Sequence, residues 1–265
     1  MAETFDIKSA VINRFLRLTE VDLESGMVNW VLRNIESPQA EFTGESVDKT
    51  DERGILISRF DTAKGFTLSG ESSKLELGLM ASQLGTEVQV ATADKKIKGE
   101  DFEVITIVDD GTDKKATMAY TPLVTPTVVY AINKDKSLGD PIEVGTEDGN
   151  AQITGNVITM PASYAGTRVG VLYQYETDEA VRVTDSSETF NKNAKYIAKI
   201  LAEDVCGITA AITIVISKGK LDNNFSLNLT TEGTHPFSIS AMKDYCSEEE
   251  ELCYILVGKA VGVGV

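Results

Sequence analysis

The chain has 265 residues, 42% of them hydrophobic and 25% charged, which is enough apolar surface to offset chain entropy and excludes a disordered polymer. Lys and Arg number 25 against 41 Asp and Glu, a formal net charge of −16. With no run of Lys or Arg and no basic stripe, that balance argues against a nucleic-acid binder working by counterion release and against an anionic membrane surface.

Residues 1–7 lack a basic segment followed by an apolar one, and no apolar run reaches the roughly 18 residues that read as a membrane span. Synthesis and retention in the cytoplasm are the expectation. Cys206, Cys246 and Cys253 have no Cys-x-x-Cys spacing, so neither a disulfide framework nor a zinc site is expected.

Residues 10–18 mix apolar and basic side chains, and Val28, Trp30, Leu32 and Ile35 keep the near-alternate spacing of a strand with one buried face. Ser37-Pro38 ends that pattern, and the polar stretch 39–53 predicts a long exposed loop. Ile55, Ile57 and Phe60, then Phe66 and Leu68, predict a hairpin turning at 61–65. Leu75, Leu77, Leu79, Met80 and Leu84, with Gly85 just beyond, predict a short helix packed on a sheet.

Phe102, Val104, Thr106 and Val108 return to period two, and the turn-forming run Asp109-Asp110-Gly111-Thr112-Asp113 before 116–120 predicts a hairpin. Residues 121–178 change character after Pro122 and Pro126, with short strands split by Gly139-Asp140-Pro141, Glu147-Asp148-Gly149-Asn150 and Ala165-Gly166. They read as an inserted β module, leaving 1–120 and 179–265 as a discontinuous core domain. Strands are expected in 180–184, 196–203 and 208–216, then at Phe225, Leu227 and Leu229, at Phe237, Ile239 and Ala241, and finally in 252–257.

The residues of catalysis are sparse. His235, the one histidine, stands before Pro236, and no serine has the Gly-x-Ser-x-Gly elbow of a nucleophile. Asp109, Asp110 and Asp113 fall short of the twelve-residue calcium loop and read as a solvated hairpin tip, as do Glu147 and Asp148. The run Glu248 to Glu251 reads as a solvated face, since adjacent carboxylates do not converge. Gly258, Gly262 and Gly264 lack the Lys-Ser or Lys-Thr of a phosphate loop and read as a flexible or assembly-ordered tail. Trp30 reads as a core side chain, and Tyr120, Tyr130, Tyr164, Tyr173 and Tyr175 as core and strand residues, with a sugar platform as their alternative use. No catalytic, cofactor-binding or metal-ligating residue is assigned, no cofactor is expected, and the chain reads as a structural protein rather than an enzyme.

Val21-Asp22 with Gly26 and Trp30-Val31-Leu32, Phe60 to Gly65 leading to Ser69-Gly70, and 75–85 resemble the opening half of the tail tube proteins of long-tailed bacteriophages. Residues 201–206, 218–229 and Gly233-Thr234-His235-Pro236-Phe237 before Ala241 and Cys246 resemble its closing half. The resemblance implies a mainly β protein, a β-sandwich or half-barrel with one flanking short helix, carrying at 121–178 a small Ig-like β insertion on the outside. It implies copies in rings of six, stacked into a tube that DNA crosses without specific binding, with 39–53 reaching the next ring. Other tail proteins (tape measure, terminator, baseplate or distal tail) are the further implied partners, no membrane is involved, and the virion is the implied location after synthesis in the bacterial host. A capsid decoration or sheath-like protein, and a carbohydrate-binding adhesive module, are the alternative readings.

Overall fold

The computed structural model describes residues 9–109, 114–147, 149–164, 166–204, 207–245 and 251–259. The first strands are β1 (Val11–Asp22), β2 (Val28–Leu32), β3 (Ile35–Thr50) and β4 (Leu56–Ser72), followed by helix α1 (Leu77–Leu84). The middle of the chain holds β5 (Gln89–Val90), β6 (Ile97–Thr106), β7 (Val108–Asp109), β8 (Lys114–Thr117), β9 (Val128–Ile132), β10 (Leu138–Glu143), β11 (Gln152–Thr154), β12 (Val157–Met160), β13 (Arg168–Thr177) and β14 (Val181–Arg182). The last strands are β15 (Asn193–Glu203), β16 (Thr209–Leu221), β17 (His235–Ala241) and β18 (Tyr254–Lys259). The protein is mainly β, with antiparallel sheets and one α-helix among the described residues.

Two compact units divide it: residues 1–88 with 183–265, and residues 89–182. The boundary expected near 121 falls instead at 89, because β6 pairs in ten successive registers with β13, from Ile97↔Thr177 to Thr106↔Arg168. Period-two spacing marks β6 as a strand but says nothing about which distant strand completes its ladder.

In the first unit an eight-stranded sheet runs β2-β1-β15-β16-β17-β4-β3, with β18 beside the first half of β16. One face of this sheet is the core. Leu18, Leu32, Phe66, Leu68, Tyr196, Ile216, Phe237 and Ile239 pack there with Leu79 of α1. Each large apolar side chain so removed from water contributes about 1.5–3 kcal/mol. The helix sits where the sequence places it: Gly85 at φ +69° closes it, with Gly85 N–H donating to Ser82 O and Thr86 N–H to Ala81 O. Trp30 is buried, as read, and its Nε1 donates to Ser82 Oγ at 2.8 Å.

Two expectations for this unit are corrected. No strand covers Phe225, Leu227 and Leu229; that alternating stretch joins no ladder, and Leu229 is 87% exposed. The turn placed at 61–65 does not exist, since β4 runs unbroken through it, and the presumed loop 39–53 is mostly strand.

The second unit is a sandwich. A four-stranded sheet β10-β9-β13-β6 and another, β11-β12-β8-β7, share a core of Val129, Val169, Val171, Ile158, Met160 and Met118. The hairpin read at 109–113 is β7 with β8, paired Val108↔Lys115; its tip, 110–113, lies outside the described residues. Gly139-Asp140-Pro141 is not a break but part of β10, and the turn precedes it at Asp135 and Lys136 (φ +70°), where Asp135 accepts from Ser137 N–H and Oγ–H. The paired β5 and β14 tie together the points where the chain enters and leaves this unit.

Candidate assembly surface

The ribbon of β3 and β4 is built by a ladder from Gln39↔Ser69 to Thr50↔Leu56 and closed by a tight turn at Asp51. There the Asp51 carboxylate accepts from the N–H groups of Arg53 (2.9 Å) and Ile55 (2.8 Å), and Gly54 takes φ +78°. Gly65, which reads as a turn residue, has another use: a Cβ there would lie 2.5 Å from Thr43 Oγ1 across the ladder.

From residue 44 to residue 64 neither strand buries a side chain. At the ordinary rise per residue that bare length is about 30 Å. Val47 and Phe60, directly paired, are 57% and 56% exposed, and Ile55, Leu56 and Ile57 at the tip are equally open. A two-stranded ribbon with no covering layer is marginal in water, and apolar side chains gathered on one exposed element mark an interaction surface. Arg59 holds the ribbon with a two-pronged ion pair to Asp48, Nε to Oδ1 at 2.6 Å and a second nitrogen to Oδ2 at 2.8 Å, which keeps the Asp48 carboxyl below its usual range.

The face of the large sheet away from the core is charged in a graded way. Pairing β1 with β15 places Arg14 opposite Leu201 and Arg17 opposite Lys199, with Lys195 four pairs further on, opposite Val21. At the other end of the sheet the same face carries Glu36, Glu71 and Glu41, by the pairs Glu36↔Glu71 and Glu41↔Thr67. A basic stripe therefore exists; the linear sequence hides it because its halves lie on strands far apart in the chain.

His235 is buried and structural in its contacts. Its Nδ1 accepts from Glu76 N–H at 3.3 Å, so Nε2 carries the proton and donates to Gln83 Oε1 at 2.8 Å, while Gln83 Nε2 donates to Pro236 O at 3.0 Å. These bonds tie α1 to β17. Burial pushes the imidazole pKa below its ordinary 6.5. The unfolded chain thus binds the proton more tightly than the folded one, so this contribution to stability is complete above pH 6.5 and is lost as pH falls below that value. Urea melts of the protein and of His235→Gln between pH 7.5 and 5 are expected to differ in slope, the variant losing less stability on acidification; equal slopes would remove His235 as the cause.

A cleft of about 330 Å³ in the first unit is lined by Glu20, Asn29, Trp30, Ser82 and Lys192 among others. Its buried carboxylate is already occupied: Glu20 Oε1 accepts from Asn29 Nδ2 at 2.7 Å and from Ser82 Oγ at 2.8 Å. In the second unit the tyrosines engage one another. The rings of Tyr120 and Tyr175 stack at 4.0 Å and 4°, and Tyr173 Oη donates to Glu103 at 2.6 Å. Burial first, and that carboxylate second, push the Tyr173 pKa up. Stacked on each other, Tyr120 and Tyr175 offer a sugar less open ring face than two separate platforms.

Among the described residues no group of three or more His, Cys, Asp and Glu is placed to hold a metal ion, and no helix is long and apolar enough to cross a membrane. Cys253 is a free thiol that packs against the core cluster, and Cys206 and Cys246 lie outside the described residues, as do Glu248 to Glu250 of the acidic run. Gly258 is not tail but part of β18, and residues 260–265 lie outside the description.

No curated protein matches the chain significantly. A family model described as the YomU/Tube protein family matches residues 55–255, from the turn of the ribbon through α1 and the inserted unit to the start of β18. Covering most of the chain and every strand from β4 to β17, that match shows that this protein belongs to the YomU/Tube protein family.

Proposed function

We propose that the protein is the tail tube subunit of a bacteriophage: a virion structural protein, with no enzymatic activity, whose copies form rings, six to a ring, that stack into a hollow conduit for DNA. The observation that carries this is the bare ribbon of β3 and β4, an element that a solitary protein has no reason to extend into water, on a chain of the tube family. In this reading the ribbon reaches the next ring, and the unit of 89–182 is an addition to the wall. Head-to-tail contacts whose rotation closes give rings, and exposed sheet edges are covered when copies meet. A net charge of −16 suits a conduit, because a surplus of carboxylates gives passing phosphates no place to stick. Terminator, tape measure and baseplate or distal tail proteins are the partners expected at the ends and in the bore.

Purified protein is expected to form rings or tubes of uniform bore in negative-stain electron microscopy, with a sedimentation profile that shifts to larger species as concentration rises. A monomer at every concentration tested would sink the proposal, and particles that bind capsids without forming tubes would favour the decoration reading.

A further inference from the structure

Four cations gather on one face of the large sheet, where the carboxylate that shares their end of β15, Glu203 opposite Val11, accepts from Asn13 Nδ2. Arg14 and Arg17 on β1, and Lys195 and Lys199 on β15, share the face away from the core, and Arg17 lies directly opposite Lys199. Like charges facing each other across a ladder are destabilising. Among the described residues none of the four takes part in an ion pair.

Beside them a strand edge is open. β2 pairs with β1 only between Leu18 and Val21, so among the described residues β1 from Val11 to Arg17 has β15 on one side and no hydrogen-bonded strand on the other. Val11 and Ile12 on this stretch are 65% and 66% exposed. β3 of the same chain comes near β1 but pairs with β4 along its length.

The complementary element is the outer edge of β3. Among the described residues it is the last strand of the sheet, with β4 on one side and no hydrogen-bonded strand on the other. Glu41 and Glu45, with Glu36 before them, fall on the same face of the sheet as the four cations. Among the described residues neither Glu41 nor Glu45 is in an ion pair, whereas Asp48 is taken by Arg59. A head-to-tail contact that closes by rotation keeps the same face of every copy turned the same way, so the acids of one copy and the cations of the next meet on one surface.

We infer that the free edge of β1, with Arg14, Arg17, Lys195 and Lys199 beside it, is the docking site for the β3 edge of a second copy, added as a strand and held in register by Glu41 and Glu45. Backbone pairing supplies the affinity and the opposed charges choose the edge and reject the wrong one. The inference rests on the proposed self-assembly and adds to it which two edges meet.

The test uses three full-length variants: Arg14→Glu with Arg17→Glu, Glu41→Arg with Glu45→Arg, and all four together. Every one of these side chains is exposed, so folding measured by circular dichroism is expected to be unchanged. Each two-site variant is expected to raise the threshold concentration for assembly at least about tenfold, because like charges then face each other across the contact. The four-site variant, which exchanges the signs, is expected to bring the threshold back toward that of the parent protein, as is an equal mixture of the two failing variants. If the parent assembles and the two-site variants assemble equally well, or fail without recovery in the four-site variant, this pairing of edges is wrong while the tube reading stands. If assembly needs added DNA and only the arginine variants lose it, the cations serve a nucleic acid and the inference falls. A parent protein that never assembles overturns both.

Discussion

Replacing residues 44–64 with Asn-Gly, so that Thr43 and Gly65 become the ends of a two-residue hairpin, is expected to abolish the proposed assembly and to leave the monomer as stable as before. Thr43 and Gly65 are directly paired, which is the geometry such a turn closes, and Asn-Gly supplies the positive φ values it needs. The excised segment buries no side chain, and the core cluster of the first unit contains none of its residues. The midpoint of thermal unfolding is therefore expected to stay within a few degrees, since surface changes away from caps and cores seldom exceed about 0.5 kcal/mol. Assembly has the opposite expectation, because the deletion removes Val47, Ile55, Leu56, Ile57 and Phe60, the exposed apolar set of the ribbon. Electron microscopy and sedimentation of the shortened chain give the answer, and tubes of normal yield would show that the ribbon is not a contact. A milder version, Val47→Ser with Phe60→Ser, keeps the backbone edge and separates the side-chain contribution from that of the strand itself.

What the sequence reveals and what it hides follow from how far each signal reaches along the chain. Helix α1 was readable because its periodicity and its glycine stop lie within ten residues of each other, and Gly85 closes the helix as that pattern requires. Strand β17 was readable from the alternation of Phe237, Ile239 and Ala241. The same alternation misled at Phe225, Leu227 and Leu229, where no neighbouring strand offers a ladder. Residues 61–65 carry turn-forming residue types, yet β3 pairs across them with one irregularity between Glu45 and Ser46, while the actual turn lay in the polar stretch read as a loop. The stripe of Arg14, Arg17, Lys195 and Lys199 is the clearest case of information absent from any local window: strand pairing assembles it, within a chain whose overall charge has the other sign.

Gly85→Ala is expected to cost the fold more than about 3 kcal/mol, as an αL residue closing a helix and a backbone collision combine. The residue sits at φ +69°, and an added Cβ would lie 2.1 Å from the carbonyl carbon of Phe190 and 2.6 Å from the nitrogen of Asn191. Neither neighbour is the movable end of a side chain. Asn191 is buried and its side-chain amide donates to Leu221 O, so a shift of that segment would disturb β16 as well. The helix would have to move too, and Leu79 and Ser82 with it, loosening the core and the hydrogen bond from Trp30. Gly26→Ala provides the comparison: the same φ of +69°, but nothing within 4 Å of the new Cβ. Its cost is the conformational part alone, about 1 kcal/mol. Denaturant melts of the two variants thus separate torsional strain from collision, and equal losses would mean that the segment at 190–191 yields to the helix rather than bracing it.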